Sequence, residues 1–581
     1  MKRLIPYLKP YWKQFLFSLV LIIMVAFIVG ISPYLEGLII TNIELSVKNP
    51  INGEVIIDFN YIIRVIILLF SLYMVVALSR FTFNFILTRT IQTAVRNLRQ
   101  DVQKKIHRLP VKYFDQTLLG NTMSRMTTDI EAISNGIQQS FSSIISSVSL
   151  LIFIVTIMFW MNWKLALIAG ALIPLAFITS KIILNKSQNI FIRRYEAYGR
   201  FTGFIQEKFT GYKEITLYNQ QENLIKEFAE TNENLAELVF KSNFLSGLLM
   251  PVLNGLTYLI IVVVVLVGAG FASQEIITLG VFQAFVRYVW RLGSPISELT
   301  QMSVVLQSSS AAAKRVFDFL DEDEELADHK EPKLLTDIKG EVTFKDVTFQ
   351  YEKNKPILKN INFTAKPGQM IAIVGPTGSG KTTLINLLMR FYDVTEGEIL
   401  LDGVNIKELK KEDLRKAFGM VLQDTWLFNG TIFENIKYSK DQASLEEVIE
   451  ASKKANVDYF IKTQPQGYNM LINEEADNVS QGEKQLLTIA RAILGNPDIL
   501  ILDEATSTVD TRIEAILQEA IRQLLKDRTS FVIAHRLSTI RNADKILVLK
   551  DGEIIEEGTH EELLSQEGFY YKLYQSQFQE E

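Results

Sequence analysis

Long apolar stretches separated by polar, helix-patterned connections fill the first half of the chain, and a different rhythm takes over in the second. Residues 14–35, 132–163 and 242–274 hold no charged side chain. Each can cross a hydrocarbon core of about 30 Å as a helix. Apolar runs at 65–79 and 165–180 are bounded by charges and extend beyond them, and a sixth, 276–306, is broken by Arg287, Arg291 and Glu298. The pattern predicts six spans, at 14–43, 58–85, 132–162, 164–185, 242–272 and 276–306, within a transmembrane domain 1–318. The connections after the second and fourth spans keep helical spacing, so the helices are expected to run on beyond the bilayer, turn and return. Pro110, Gly120-Asn121 and Gly211 punctuate them, which suits a short transverse helix at each tip.

Basic residues collect in those two connections, from Arg89 to Arg125 and from Lys186 to Lys213, while the opposite turns carry Lys48 and Lys164. The bias places both ends and both long connections in the cytoplasm of a cell-membrane protein. Residues 1–13, basic with Tyr and Trp, read as an interfacial helix. Charges at membrane depth usually face a cavity or a partner. Arg64 and Arg80 read as snorkelling side chains, and Arg287, Trp290 and Glu298 are the candidate cavity residues.

An acidic linker, 319–340, leads into 341–581, where alternating positions such as Val342–Tyr351 predict strands of an α/β domain. The apolar run Met370–Val374 precedes Gly375-Pro376-Thr377-Gly378-Ser379-Gly380-Lys381-Thr382, and Thr383 opens a helical pattern. Strand, Gly-rich turn and helix in that order form a phosphate-binding loop: backbone N–H groups turn inward around phosphate oxygens, and the helix aims its positive end at them. Lys381 would reach the β- and γ-phosphates of a nucleotide and the Thr382 hydroxyl would sit on Mg²⁺. Ile499–Leu502 is a doubly buried strand ending in Asp503 and Glu504, at the edge where such sheets bind ligands. Asp503 is the candidate Mg²⁺ partner and Glu504 the residue that orients or deprotonates the attacking water.

Gln423 follows the strand Phe418–Leu422, and its amide can touch both metal and water. His535 ends another strand and can donate to a γ-phosphate oxygen; Asp510 follows the paired carboxylates. Tyr351, upstream of the loop, is either a sheet residue or a ring that stacks on a purine. In Val479-Ser480-Gln481-Gly482-Glu483, Ser480 resembles an N-cap before a long helical pattern.

Composition narrows the remaining classes. The chain has no cysteine and four histidines, none clustered, which leaves no thiolate chemistry and no zinc–sulfur site. A net charge of −5 gives no sign of a nucleic-acid partner.

Taken in order, Tyr351, Gly375–Thr382, Gln423, Val479–Glu483, Ile499–Glu504, Ser507–Asp510 and His535 resemble the nucleotide-binding domain of an ABC transporter. With six spans ahead of it, the whole chain is similar to the type IV exporter half-transporters of the multidrug and lipid class. The resemblance implies a six-helix transmembrane domain followed by an α/β P-loop NTPase domain. It also implies ATP and Mg²⁺ as cofactors, and ATP-driven export of amphipathic drugs or lipids by alternating access. Glu504 then matches the catalytic base and His535 the γ-phosphate partner. Leu109–Asn121 and Gly211–Tyr218 match coupling helices, and a second half-transporter must close its signature over this chain's loop. An ATP-gated channel, a regulatory subunit or a dedicated lipid flippase would use the same scaffold.

The signature departs from the family's Leu-Ser-Gly-Gly-Gln. Gln481 adds bulk where backbone meets phosphate, and Glu483 brings negative charge towards an anion, with Asn473–Asp477 adding more. Intact loop residues beside an altered signature lead to the expectation of a heterodimer, with a homodimer as the alternative.

Overall fold

The computed structural model describes the 581-residue chain apart from residues 1, 51–53, 118, 330, 336, 423–424, 474–475, 477, 504–510, 534–539 and 579–581. The chain divides into two compact units, one of residues 1–109 and 117–323, the other of 110–116 and 324–581.

The first unit is built of helices among the described residues. Its long elements are α1 (Trp12–Lys48), α2 (Phe59–Ile106), α4 (Leu119–Met161), α5 (Trp163–Thr210), α7 (Gln221–Ser273) and α8 (Leu279–Leu320). Short helix α6 (Tyr212–Leu217) follows α5, while α3 (Val111–Gln116), which follows α2 along the chain, belongs to the second unit. The first five long helices are long and apolar enough to cross a membrane, whereas α8 carries Arg287, Arg291 and Glu298 in its apolar half.

Phe285, Tyr288, Val289 and Leu292 of α8 are fully buried against Ile154 and Met158 of α4, Leu165 and Ala169 of α5, and Val264 of α7. Many large apolar side chains instead point outward, among them Phe17, Phe70, Phe81, Trp160 and Leu266. Such a surface suits lipid, against which a helix satisfies its own backbone. α1 meets the start of α8 through Gly37 and Gly280, where a Cβ on either would strike the other's carbonyl oxygen. Thr41 and Thr278 hydroxyls lie 2.9 Å apart beside them, and Leu279 N donates to Glu44 Oε2 at 2.6 Å.

The second unit holds two main sheets. An antiparallel sheet has the order β2-β1-β4-β5, with β1 Val342–Glu352, β2 Lys355–Ala365, β4 Glu396–Leu401 and β5 Val404–Asn405. The other has the order β10-β9-β3-β8-β7-β6, from β3 Met370–Val374, β6 Phe418–Val421, β7 Ile499–Asp503, β8 Thr529–Ile533, β9 Lys545–Lys550 and β10 Glu553–Gly558. β9, β3, β8, β7 and β6 run parallel, so their C-terminal ends share one edge. β3 explains its apolar run: Ile371 and Ile373 join the core on one face of the sheet, Ala372 and Val374 the core on the other. Alternate residues of a strand point to opposite faces, so a strand covered on both must be apolar throughout.

Candidate nucleotide-binding site

At that shared edge β3 runs into Gly375, and α9 (Lys381–Leu388) begins behind the turn with Gly380 as its N-cap. Gly378 and Gly380 have φ of 83° and 103°, a left-handed region costly for residues with a Cβ. A Cβ on Gly380 would lie 2.6 Å from Leu358 Cδ2, whereas Gly378 opens onto empty space. The turn is therefore pressed against the sheet on one side and clear on the other, where an anion can approach the first-turn N–H groups.

Lys381 folds over the loop, its Nζ donating to Gly375 O at 2.7 Å and Pro376 O at 3.0 Å. Burial holds this ammonium below the ordinary lysine value, and the Asp503 carboxylate at the end of β7 pulls the other way. The loop cation and the strand-end carboxylate thus share one electrostatic neighbourhood. Ser379 is buried, with its hydroxyl unmatched by any described partner. A buried hydroxyl without a partner costs free energy, which a phosphate oxygen would relieve. Thr382 is exposed on the first turn of α9, and Pro376 and Thr377 are exposed in the loop. The residues present fit a nucleotide triphosphate with Mg²⁺: hard-oxygen donors from Thr382 and Asp503 suit an ion that takes most of its ligands from phosphate and water. No cluster of three metal-ligating side chains occurs among the described residues. Gln423, Glu504, Asp510 and His535 lie outside the described residues.

Tyr351 ends β1 with its ring edge-on to Phe349 (4.8 Å, 87°) and Tyr392 (4.9 Å, 88°). Tyr392 in turn donates to the carboxylate of Asp115 on α3, which belongs to the same unit. Burial, then that carboxylate, pushes the Tyr392 phenol above its ordinary value. Nothing in the sequence marks Tyr392 and Asp115 as partners, since a contact across 277 positions has no local signature.

The segment Val479–Glu483 leads into α10 (Gln481–Gly495). Val479 and Gly482 are buried and Gln481 is exposed on the first turn. Glu483 does not extend freely towards a ligand, contrary to the expectation from its charge. Its Oε2 accepts from Ser480 N (2.9 Å) and Ser480 Oγ (2.6 Å), closing a capping box. The N-terminal N–H donors of the helix draw the carboxylate back. Ser480 followed three residues later by Glu is itself the sequence signal for this arrangement.

In the helical unit, a cavity of about 210 Å³ opens between α7 and α8, lined by residues including Met250, Asn254, Tyr258, Trp290 and Ser294. Of the three candidate cavity residues, Trp290 lines it. Arg287 Nε instead lies 3.5 Å from Glu36 Oε2, and Glu298 accepts from Ser147 Oγ (2.7 Å) and Ser294 Oγ (3.2 Å). Asn254 and Tyr258 escape a reading of the sequence, because only their polar atoms mark them within an apolar run.

Two family models match the chain: the ABC transporter transmembrane region over residues 15–292 and the ABC transporter model over 358–507. A fatty acid ABC transporter ATP-binding/permease protein of Mycobacterium bovis is 42% identical over 91% of this chain and 83% of its own length. An ATP-dependent lipid A-core flippase of Syntrophus aciditrophicus is 38% identical over 84% and 81%. A bacterial Atm1-family ABC exporter solved with ATP bound superposes with a TM-score of 0.77 at 28% identity, over 97% of this chain and 98% of that one. A chain with this phosphate loop, this sheet edge and these apolar helices, so related along its length, belongs to the ABC transporter family, as a type IV exporter half-transporter that couples ATP hydrolysis to transport.

Proposed function

We propose that this chain is one half of a dimeric exporter that moves amphipathic molecules, drugs or lipids, across the cell membrane by alternating access. The observation that carries the reading is the joining of two machines in one chain. A phosphate loop with Lys381 and Asp503 in mutual electrostatic reach stands at one sheet edge, and five apolar, bilayer-length helices precede it. In this reading residues 1–318 form six spans with both termini cytoplasmic, 319–340 a linker and 341–581 the ATPase. Lys381, Ser379 and the loop N–H groups hold the phosphates; Thr382, Gln423 and Asp503 hold Mg²⁺. Glu504 takes a proton from the water that attacks the γ-phosphorus, and His535 and the Lys381 ammonium stabilise the charge that develops as the bond to ADP breaks.

The signature supports a finer statement. Gln481 and Glu483 replace a small and a neutral residue, so the chain's own signature faces a partner's nucleotide with added bulk and charge. A second, different half-transporter with an intact signature would then complete this chain's loop, making a heterodimer with one weaker site. Names of relatives favour a lipid-like amphiphile as cargo and leave the charge of its head open.

ATP-dependent uptake into inside-out vesicles tests the export reading. Uptake should require ATP and vanish in Glu504→Gln; flux that survives this substitution would mean a channel. For the heterodimer, substrate-stimulated ATPase activity from the chain purified alone, abolished by Glu504→Gln, would overturn it.

A further inference from the structure

The cavity between α7 and α8 has a chemistry of its own. Tyr258 and Trp290 meet at 5.4 Å and 83°, and each is 52% exposed, so two ring faces form a corner open to the cavity. The remaining walls combine apolar Met250 and Leu253 with uncharged polar Asn254 and Ser294. Electron-rich ring faces set at an angle attract cations, most strongly where water is partly excluded.

A carboxylate stands on the same stripe. Trp290, Ser294 and Glu298 follow one another at intervals of four along α8, so they share a face. Ser294 lines the cavity and donates to Glu298 Oε1 at 3.2 Å, which brings that carboxylate to the cavity's margin. Its other partner is the Ser147 hydroxyl, and among the described residues no cation pairs with it. The neighbouring cations are engaged elsewhere: Arg287 with Glu36, and Arg291 with Val29 O and Ser32 Oγ on α1. Exposed Asn254, Ser294 and Glu298 would be costly against lipid tails, so this face meets water, a ligand or the second half-transporter rather than lipid.

We propose that this cavity is a subsite for the cationic head of an amphiphile, held between the Tyr258–Trp290 ring faces and the Glu298 carboxylate. Asn254, whose amide makes no described hydrogen bond, is free to bind a polar group beside the cation. An anionic head of the same shape would meet an unanswered carboxylate, so the subsite selects by the sign of charge. This assignment rests on the export reading and names the substrate class at one place along the route.

Tetraphenylphosphonium and tetraphenylborate share a shape and differ in sign, so they make the test. The full-length chain is reconstituted in zwitterionic nanodiscs without nucleotide, and binding is measured by equilibrium dialysis against empty nanodiscs. Tetraphenylphosphonium should bind saturably, and its dissociation constant should rise about ten-fold or more in Glu298→Gln and in Trp290→Leu, while Glu298→Asp stays within about three-fold. Tetraphenylborate should show no saturable binding. Equal binding of the two ions, or an affinity for the cation untouched by Glu298→Gln, would overturn the proposal. Should Glu298→Gln fail to fold, Trp290→Leu and Tyr258→Leu, apolar replacements on exposed faces, carry the same decision. Because no ATP is present, this result is independent of the uptake experiment: a chain that binds the cation but fails ATP-dependent uptake defeats the export reading alone.

Discussion

The Tyr351 phenol donates to Thr383 Oγ1 at 3.2 Å, tying the end of β1 to the residue just after the phosphate loop. With Phe349 and Tyr392 pressed edge-on against it, the ring is held beside the loop before any nucleotide arrives. A purine that stacks on Tyr351 gains from a face already positioned. Tyr351→Phe keeps the ring and removes one hydrogen bond, a change of about 0.5–1.5 kcal/mol in stability with little effect on nucleotide affinity. Tyr351→Ala removes the stacking face and should raise the ATP dissociation constant roughly ten-fold. Titration with a fluorescent ATP analogue separates the two; equal affinities for Phe and Ala variants would remove Tyr351 from the base site.

Lys381 carries a desolvation cost in the loop. Burial lowers its pKa, so the unfolded chain holds this proton more tightly than the folded one. The penalty is therefore fully present at neutral pH, and it fades only as pH rises from the lowered value through the ordinary lysine value of about 10.4. A bound phosphate reverses the sign by adding a counter-charge. Lys381→Met should leave the nucleotide-free protein no less stable at pH 7, yet abolish its response to ATP. In thermal unfolding the intact chain should gain about 2.7 kcal/mol at 100 times its dissociation constant. An ATP-dependent shift that persists in Lys381→Met would exclude this lysine from phosphate binding.

Glu483 has two effects with opposite signs. Through the capping box it secures the start of α10, and through its charge it opposes an anion at the same helix end. Glu483→Gln can still accept from Ser480 N, so the cap persists while the charge goes, and stability should change by less than about 1 kcal/mol. Glu483→Ala loses the cap and should cost about 0.5–2 kcal/mol. In the assembled transporter, ATPase activity should rise in Glu483→Gln; an unchanged or lower rate would show that the charge is no brake on the site it faces.

The strands and the loop are legible in the sequence because their causes are local. β3 and β7 are apolar on both faces, and only Gly spacing and a following Lys make a phosphate loop, so short windows suffice. The long apolar helices follow from uncharged stretches of bilayer length in the same way. What stays hidden depends on distant pairing. Arg287 reads as a cavity cation until Glu36 on α1 is found beside it. Tyr351 reads equally as sheet or base platform, and its ring contact with Tyr392 comes from the turn between α9 and β4. Glu483 is half legible: its charge is read from the sequence, whereas its return to Ser480 depends on the donors at the start of its own helix.

The Gly37–Gly280 crossing offers a steric test of how α1 and α8 are joined. A Cβ at position 280 would collide with the Gly37 carbonyl and the Thr41 hydroxyl, so backbone rather than a flexible side chain must yield. Separating the helices also stretches the Thr41–Thr278 bond and the Leu279 N–Glu44 bond beside it. Gly280→Ala should therefore destabilise by about 1–3 kcal/mol, the usual range for overpacking. A Cβ placed on Gly199 in α5 would meet nothing within 4 Å, so Gly199→Ala should be neutral or stabilising by up to about 1 kcal/mol through helix propensity. Thermal unfolding of the two variants in the same detergent gives the comparison. Equal midpoints would mean that α1 and α8 do not approach this closely.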